Sequence, residues 1–373
     1  MAYFSIFIVS SCLVCLAELS LRKRFLIPIT ICLLIFAAVI LSIFGAIRAD
    51  SVGTDTATYN RYFMVAVNAT NFHTFHYDFK HIDQSEFGFT VLNYAISRFT
   101  SDPHVFEFVC GLLVNTNICH ALFLMRKKIS ITLGWLTFCF MFYGTSMDVL
   151  RQSIAMSFVL LAVAYVFNNM NWRALLMILI AVSLHTSALI AVLILIVGFV
   201  FQRVRSTRGK VIIYISVIAV TCILPILIQL ISVLGLYTEK YNSYLAQSGQ
   251  FSLLATIAVR LPMLLMVIWS YFMCHKTLGR MTSWIYTLLI QEFLMIPLYL
   301  ISPVVGRLML YFGIIKVIGY PLALRNSGIK LKIIRLLIYL VYILMIIGIF
   351  YNQIIINNNG EVYPYVINNN FLY

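Results

Sequence analysis

Runs of about twenty apolar residues, broken by short polar turns, recur along the whole chain, at the length an α-helix needs to cross a bilayer. They predict spans at about 2–21, 26–47, 103–125, 131–147, 149–167, 211–234, 256–274, 281–302, 304–324 and 333–351. The run 174–201 has 28 residues, long for one crossing and short for two. Its only polar break is His185-Thr186-Ser187, so it reads as two shortened helices meeting at His185. The expected fold is an all-α polytopic membrane protein of about 12 transmembrane helices, some short or re-entrant. Residues 1–373 then form one integral membrane domain.

One stretch breaks this pattern for longer than any other. The loop 48–102 carries Asp50, Asp55, Asp78, Asp83 and Glu86, with Asp102 at its end and Glu107 just beyond. Asp55 occupies a helix N-cap position in GTDTATYNRYF, where its side chain can accept free backbone amides. Residues 86–99 have helical period: Glu86, Thr90, Asn93 and Ser97 make one polar stripe, and Phe87, Val91, Leu92, Ile96 and Phe99 fill the other faces. This amphipathic helix is too short to span, so it should lie in the interface or dip in as a re-entrant segment.

The chain is 62% apolar, 10% charged and carries a formal net charge of +14. Such a basic excess can signal nucleic acid, but its distribution argues otherwise. The turns 22–24, 126–128, 203–210, 276–280 and 325–335 hold most of the Lys and Arg and no acid. They alternate with turns on the other side, where all the acids except Glu18 and Glu292 fall. That is the positive-inside pattern: the basic turns are expected in the cytoplasm, the loop 48–102 and the tail outside. The nucleic-acid reading drops out. No Lys or Arg precedes the first apolar run, so it reads as a retained span with its N-terminus outside. The eight cysteines all fall in apolar runs, which suits neither a disulfide framework nor a zinc site. No Gly-rich phosphate loop, HExxH or GxSxG appears, so an enzyme here is expected to use no metal, nucleotide or other cofactor.

Three outer arginines, Arg151, Arg260 and Arg307, sit within the first turns of apolar helices. A charge there is costly unless it faces a partner or a wet cavity, and a guanidinium suits phosphate oxygens. Snorkelling, or a local Asp148–Arg151 pair, is the structural alternative. His185 is a candidate base or phosphate donor, against simple helix packing; Asp55 and Glu86 are rival bases, against capping and solvation. Lys316 and Glu292, both near mid-span, suggest a mutual pair.

Taken together, VGTDTATYNRYF (52–63), EFGFTVLNYAISRF (86–99), RQSIA (151–155), HTSAL (185–189), the late outer Arg307 and YPY (363–365) resemble the EpsG-like group of Wzy-type polysaccharide polymerases. The resemblance implies a GT-C-like integral glycosyltransferase of the bacterial inner membrane with its active site on the outer, periplasmic side. Such a protein joins undecaprenyl-diphosphate-linked oligosaccharide units into O-antigen, capsule or exopolysaccharide, and can work with a chain-length regulator. The family pattern falls on Asp55, Glu86, Arg151, Gln152, His185 and Arg307. On this reading Arg151, Arg307, Arg260 and Gln152 bind the diphosphate, and His185, Asp55 or Glu86 takes the acceptor proton. Tyr59, Tyr62 and Asn93 meet the sugar. A lipid-linked oligosaccharide flippase is the rival from another class; it should carry charges along a path to both faces and show two related halves, neither of which is visible. An outer-face ligase or another lipid-sugar-dependent glycosyltransferase shares most of the same chemistry.

Overall fold

The computed structural model describes residues 2–368 except 22, 84–85, 205, 207, 210, 217, 220–222, 224–252, 275–277 and 301–303. Within them the chain is helical, with one isolated β-bridge, Arg48 to Ile367. The first helices are α1 (Ala2–Ser20), α2 (Ile27–Ala46), α3 (Thr56–Asn68), α4 (Phe72–Asp83), α5 (Phe87–Ser97) and α6 (Pro103–Met125). There follow α7 (Ile131–Met141), α8 (Tyr143–Asp148), α9 (Leu150–Phe167), α10 (Asn171–Leu184) and α11 (Ile190–Arg203). The last are α12 (Leu253–Cys274), α13 (Arg280–Leu294), α14 (Val304–Gly313), α15 (Lys316–Arg325) and α16 (Lys332–Phe350).

Eight of the described helices are long and apolar enough to cross a membrane, and the bent pair α14–α15 makes a ninth. The shortfall from 12 has identifiable sources. The expected span 131–147 is broken at Phe142 into α7 and α8, and α10 has only 14 residues; α7 and α10 are apolar but short. The expected span 211–234 and the loop after it lie mostly outside the described residues. The break at His185 is where the sequence places it: α10 ends at Leu184, His185 is extended, and a 3-10 turn Thr186–Leu189 leads into α11.

Helix α9 is apolar on all sides and buried along most of its length, as a helix at the centre of a bundle must be. It packs on α6, α10 and α11. Among the described residues, helices α12 and α16 stay largely uncovered. At one end Lys127, Lys128, Arg280 and Arg325 line a common cavity of about 680 Å³, so turns assigned to one side do share a side. Near that end Glu18 Oε2 accepts hydrogen bonds from Ser130 Oγ (2.9 Å), Thr132 N (2.8 Å) and Thr132 Oγ1 (2.6 Å). A carboxylate at the start of α7 complements the partial positive charge there.

At the opposite end the tail lies as a strap across the start of the loop. Ala49 N donates to Val366 O, Asn368 N to Ile47 O, Gly53 N to Glu361 O and Thr54 N to Gly360 O, all at 2.9–3.1 Å. Tyr365 stacks on Phe44 with ring centroids 4.0 Å apart, and Tyr3 Oη donates to Val362 O at 2.5 Å. Beneath the strap Arg48 is buried: it pairs with Glu107 at 3.1 Å and donates to Gly45 O, Val52 O, Thr56 Oγ1 and Met147 O. One guanidinium thereby ties α2, the loop, α6 and α8 together.

Gly360 sits at φ +73°, and a Cβ there would lie 2.7 Å from Asp148 Oδ2. Gly360→Ala is expected to cost about 1–2 kcal/mol, the penalty for a left-handed side chain, and to lower the thermal midpoint of the detergent-purified protein. An unchanged midpoint would show that the strap contributes nothing.

Candidate active site

Glu86 precedes α5, and its carboxylate gathers three chain segments. Oε1 accepts from His185 Nδ1 at 2.8 Å, Thr186 N at 2.9 Å and Thr186 Oγ1 at 3.2 Å. Oε2 faces Arg151 Nη1 at 3.4 Å. The three side chains retain 11–15% of their surface open, so the cluster is sheltered but reachable. Glycine makes the approach feasible: a Cβ on Gly88 would come within 2.6 Å of Ser183 O, so only a bare α-carbon lets α5 meet the end of α10. The extended backbone of His185, where α10 stops, turns the imidazole and the Thr186 amide to the same carboxylate.

Burial raises the Glu86 carboxyl. The His185 hydrogen bond and charge, the Thr186 amide and the Arg151 charge outweigh it and hold the group at about 2. Ionised, Glu86 can only accept hydrogen bonds. The proton of the His185–Glu86 contact therefore sits on Nδ1, so in the neutral tautomer that contact selects, the lone pair is on Nε2. A carboxyl that acidic is a poor base at neutral pH, so among the three candidate bases Glu86 is cast as the group that orients His185.

Arg151 continues the cluster. Its guanidinium lies 5.8 Å from the Tyr59 ring centroid and 5.5 Å from that of Phe89, within cation–π range. Tyr59 is buried, and desolvation, opposed by Arg151, pushes its phenol up to about 12. On the other side Ser187 Oγ lies 3.3 Å from Tyr311 Oη, and Tyr311 is within electrostatic reach of both Glu86 and Arg307. Gln152 is buried and donates through Nε2 to the Arg307 backbone carbonyl at 2.8 Å, tying α9 to α14.

Several expectations change with this geometry. The polar stripe of α5 points inward: Thr90, Asn93 and Ser97 are buried, while Phe87 and Phe99 are exposed. Asn93 is 0% exposed and donates to Phe89 O, so it does not reach a sugar. Tyr59 is likewise buried and packs on Arg151 instead of offering a ring face; Tyr62 is half-buried on α3. Asp55 stands at the N-cap position, but its side chain makes no cap hydrogen bond. Arg260 is not in this cluster at all. It pairs with Glu292 (3.0 Å), which also bonds Lys316 (2.8 Å); the expected Lys316–Glu292 pair is present, with a third member. No His, Cys, Asp or Glu group suited to a metal ion occurs among the described residues.

Sequence reasoning passed over Thr186, Ser187 and Tyr311, although the two hydroxyls stand beside His185 in the same break. It also missed the setting of Asp148. Burial raises this carboxyl, the Asp55 charge adds to it, the Asp55 and Thr54 amides oppose it, and Glu361 adds again, leaving it at about 6. Because the folded protein favours the neutral form, the stability Asp148 contributes is complete below its ordinary 3.8 and is lost as pH rises through about 6. Asp148→Asn is expected to raise stability by on the order of 1–2 kcal/mol at pH 7, and the gain should vanish near pH 4. A gain that persists at pH 4 would contradict the account.

The match to the EpsG family extends over residues 29–367, nearly the whole chain, and the protein belongs to that family. No curated protein and no solved structure matches it.

Proposed function

We propose that this member of the EpsG family is a polysaccharide polymerase. It joins oligosaccharide units carried on a polyprenyl diphosphate, undecaprenyl diphosphate in bacteria, at the outer face of the inner membrane. The observation that carries this reading is the Glu86–His185–Arg151 cluster at the end of the bundle away from the basic turns. The positive-inside rule puts that end outside. Family membership supports the substrate class, and the residue chemistry supports the step.

In that step His185 Nε2 takes the proton of the acceptor sugar hydroxyl as its oxygen attacks the anomeric carbon of the donor. The new C–O bond forms while the bond to the diphosphate breaks, and the electron pair leaves on phosphate. Glu86 keeps the ring in the required tautomer and stabilises the imidazolium. Arg151 and Arg307 offer positive charge to the leaving diphosphate without a metal. The lipid tail stays in the bilayer, and a chain-length regulator can act from the same face.

Purified full-length protein, given only a synthetic lipid-diphosphate-linked repeat unit, is expected to yield a ladder of products spaced by one unit. Transport of the substrate without a ladder would identify a flippase instead. Transfer only onto an added lipid-core acceptor would identify a ligase.

A further inference from the structure

A second charged site lies on another face of α14. Gly306, Met309, Leu310 and Gly313 line a cavity of about 320 Å³, a size within the range of ligand pockets. These residues follow helical spacing, so Arg307, whose backbone carbonyl accepts from Gln152, and Tyr311, whose hydroxyl lies beside Ser187, fall on the adjacent face. Beyond α14 the cavity is closed by Arg260 of α12, Glu292 of α13 and Lys316, where α15 restarts after a 45° bend.

The ion balance of this cavity is uneven. Lys316 Nζ and Arg260 Nε both bond one carboxylate oxygen, Glu292 Oε1, at 2.8 and 3.0 Å. Two cations therefore meet one anion between membrane helices, where uncompensated charge is expensive. Donor capacity is also in excess. Lys316 is 4% exposed and carries three N–H donors, but among the described residues it makes one hydrogen bond. Arg260 donates through Nε to Glu292 and through Nη1 to Thr256 O at 3.3 Å, while its Nη2 has no acceptor among the described residues. A structural pair would need only one of the two cations. Both together, with spare N–H groups turned to a cavity, make a receptor for an oxyanion.

We propose that this cavity binds the diphosphate of a second lipid-linked substrate. The inference rests on the polymerase reading, because joining two lipid-borne chains requires two such headgroups to be held at once. Helices α12 and α16, largely uncovered, flank the cavity, so a polyprenyl tail can remain in the bilayer while its headgroup enters between them. Helix α14 then separates the two headgroups, one beside Arg151 and Arg307, the other beside Arg260 and Lys316.

The test is native mass spectrometry of the full chain titrated with undecaprenyl diphosphate and, separately, with phosphatidylglycerol. Wild type is expected to take up two undecaprenyl diphosphates. Arg260→Gln and Lys316→Met each leave a neutral pair with Glu292, so each should keep or raise the thermal midpoint while weakening the second binding event about tenfold or more. A single bound lipid in wild type and in both variants would overturn the proposal. So would a lowered midpoint with lipid uptake unchanged, the result for a purely structural triad. Loss of phosphatidylglycerol alone from the variants would assign the cavity to bulk phospholipid and overturn it too. No uptake of undecaprenyl diphosphate by wild type would overturn the polymerase reading with it, whereas one-lipid uptake leaves that reading standing.

Discussion

His185→Ala lowers the rate of glycosyl transfer by on the order of 10²–10⁴, the scale for a positioned general base, and leaves the affinity for the lipid diphosphate near normal. The reason lies in the Nδ1–Glu86 contact of 2.8 Å, which reserves Nε2 for the acceptor hydroxyl. A packing histidine would behave differently: its loss would lower the thermal midpoint, and the surviving protein would turn over normally. A histidine that only donated to the diphosphate would be partly replaced by Gln, and Ala would weaken binding as well. Rate, apparent affinity and melting temperature of one purified variant separate these three outcomes. Retained turnover in His185→Ala would pass the role of base to Asp55.

Arg151→Ala abolishes long polymer, with kcat/KM reduced by on the order of 10²–10³, as when one group that stabilises developing charge is removed. Two losses combine. The leaving diphosphate loses a cation, and Glu86 loses its 3.4 Å partner, which frees it to move away from His185. Arg151→Lys restores activity only in part, because an ammonium lacks the planar fork and stacks less well near Tyr59 and Phe89. Immunoblotting must show normal protein level in both variants. Full-length polymer from Arg151→Ala would remove the residue from the site.

Much of the fold was legible because membrane burial imposes strong rules. Apolar runs mark helices, charge bias orders the turns, and a polar triplet inside the run 174–201 marks the break at His185. What failed was direction around each helix. Periodicity shows that Glu86, Thr90, Asn93 and Ser97 share a face of α5, but the same stripe serves a helix that turns it to water and one that turns it to the protein. Here the second arrangement holds: Thr90, Asn93 and Ser97 are buried, while Phe87 and Phe99 stay exposed. Likewise Arg151, Arg260 and Arg307 all fall toward the outer ends of apolar runs, and approximate depth is all that position along a span conveys. Helix α14 lies between Arg260 and the Glu86 cluster, and that separation depends on long-range packing. The pairing of Glu86 with His185, 99 residues apart, is likewise set by the close approach at Gly88 and the extended turn at His185. The Lys316–Glu292 pair was inferable because opposite lone charges at mid-span have little choice of partner.

The central claim is that Glu86 acts on the reaction through His185. A double-mutant cycle on transfer rate tests it, using Glu86→Gln, His185→Ala and the double variant in the purified-enzyme assay. Strong non-additivity is expected: once His185 is gone, removing the Glu86 charge costs little more, as for groups that work as a unit. Rate losses that simply multiply in the double variant would show two independent roles and contradict it.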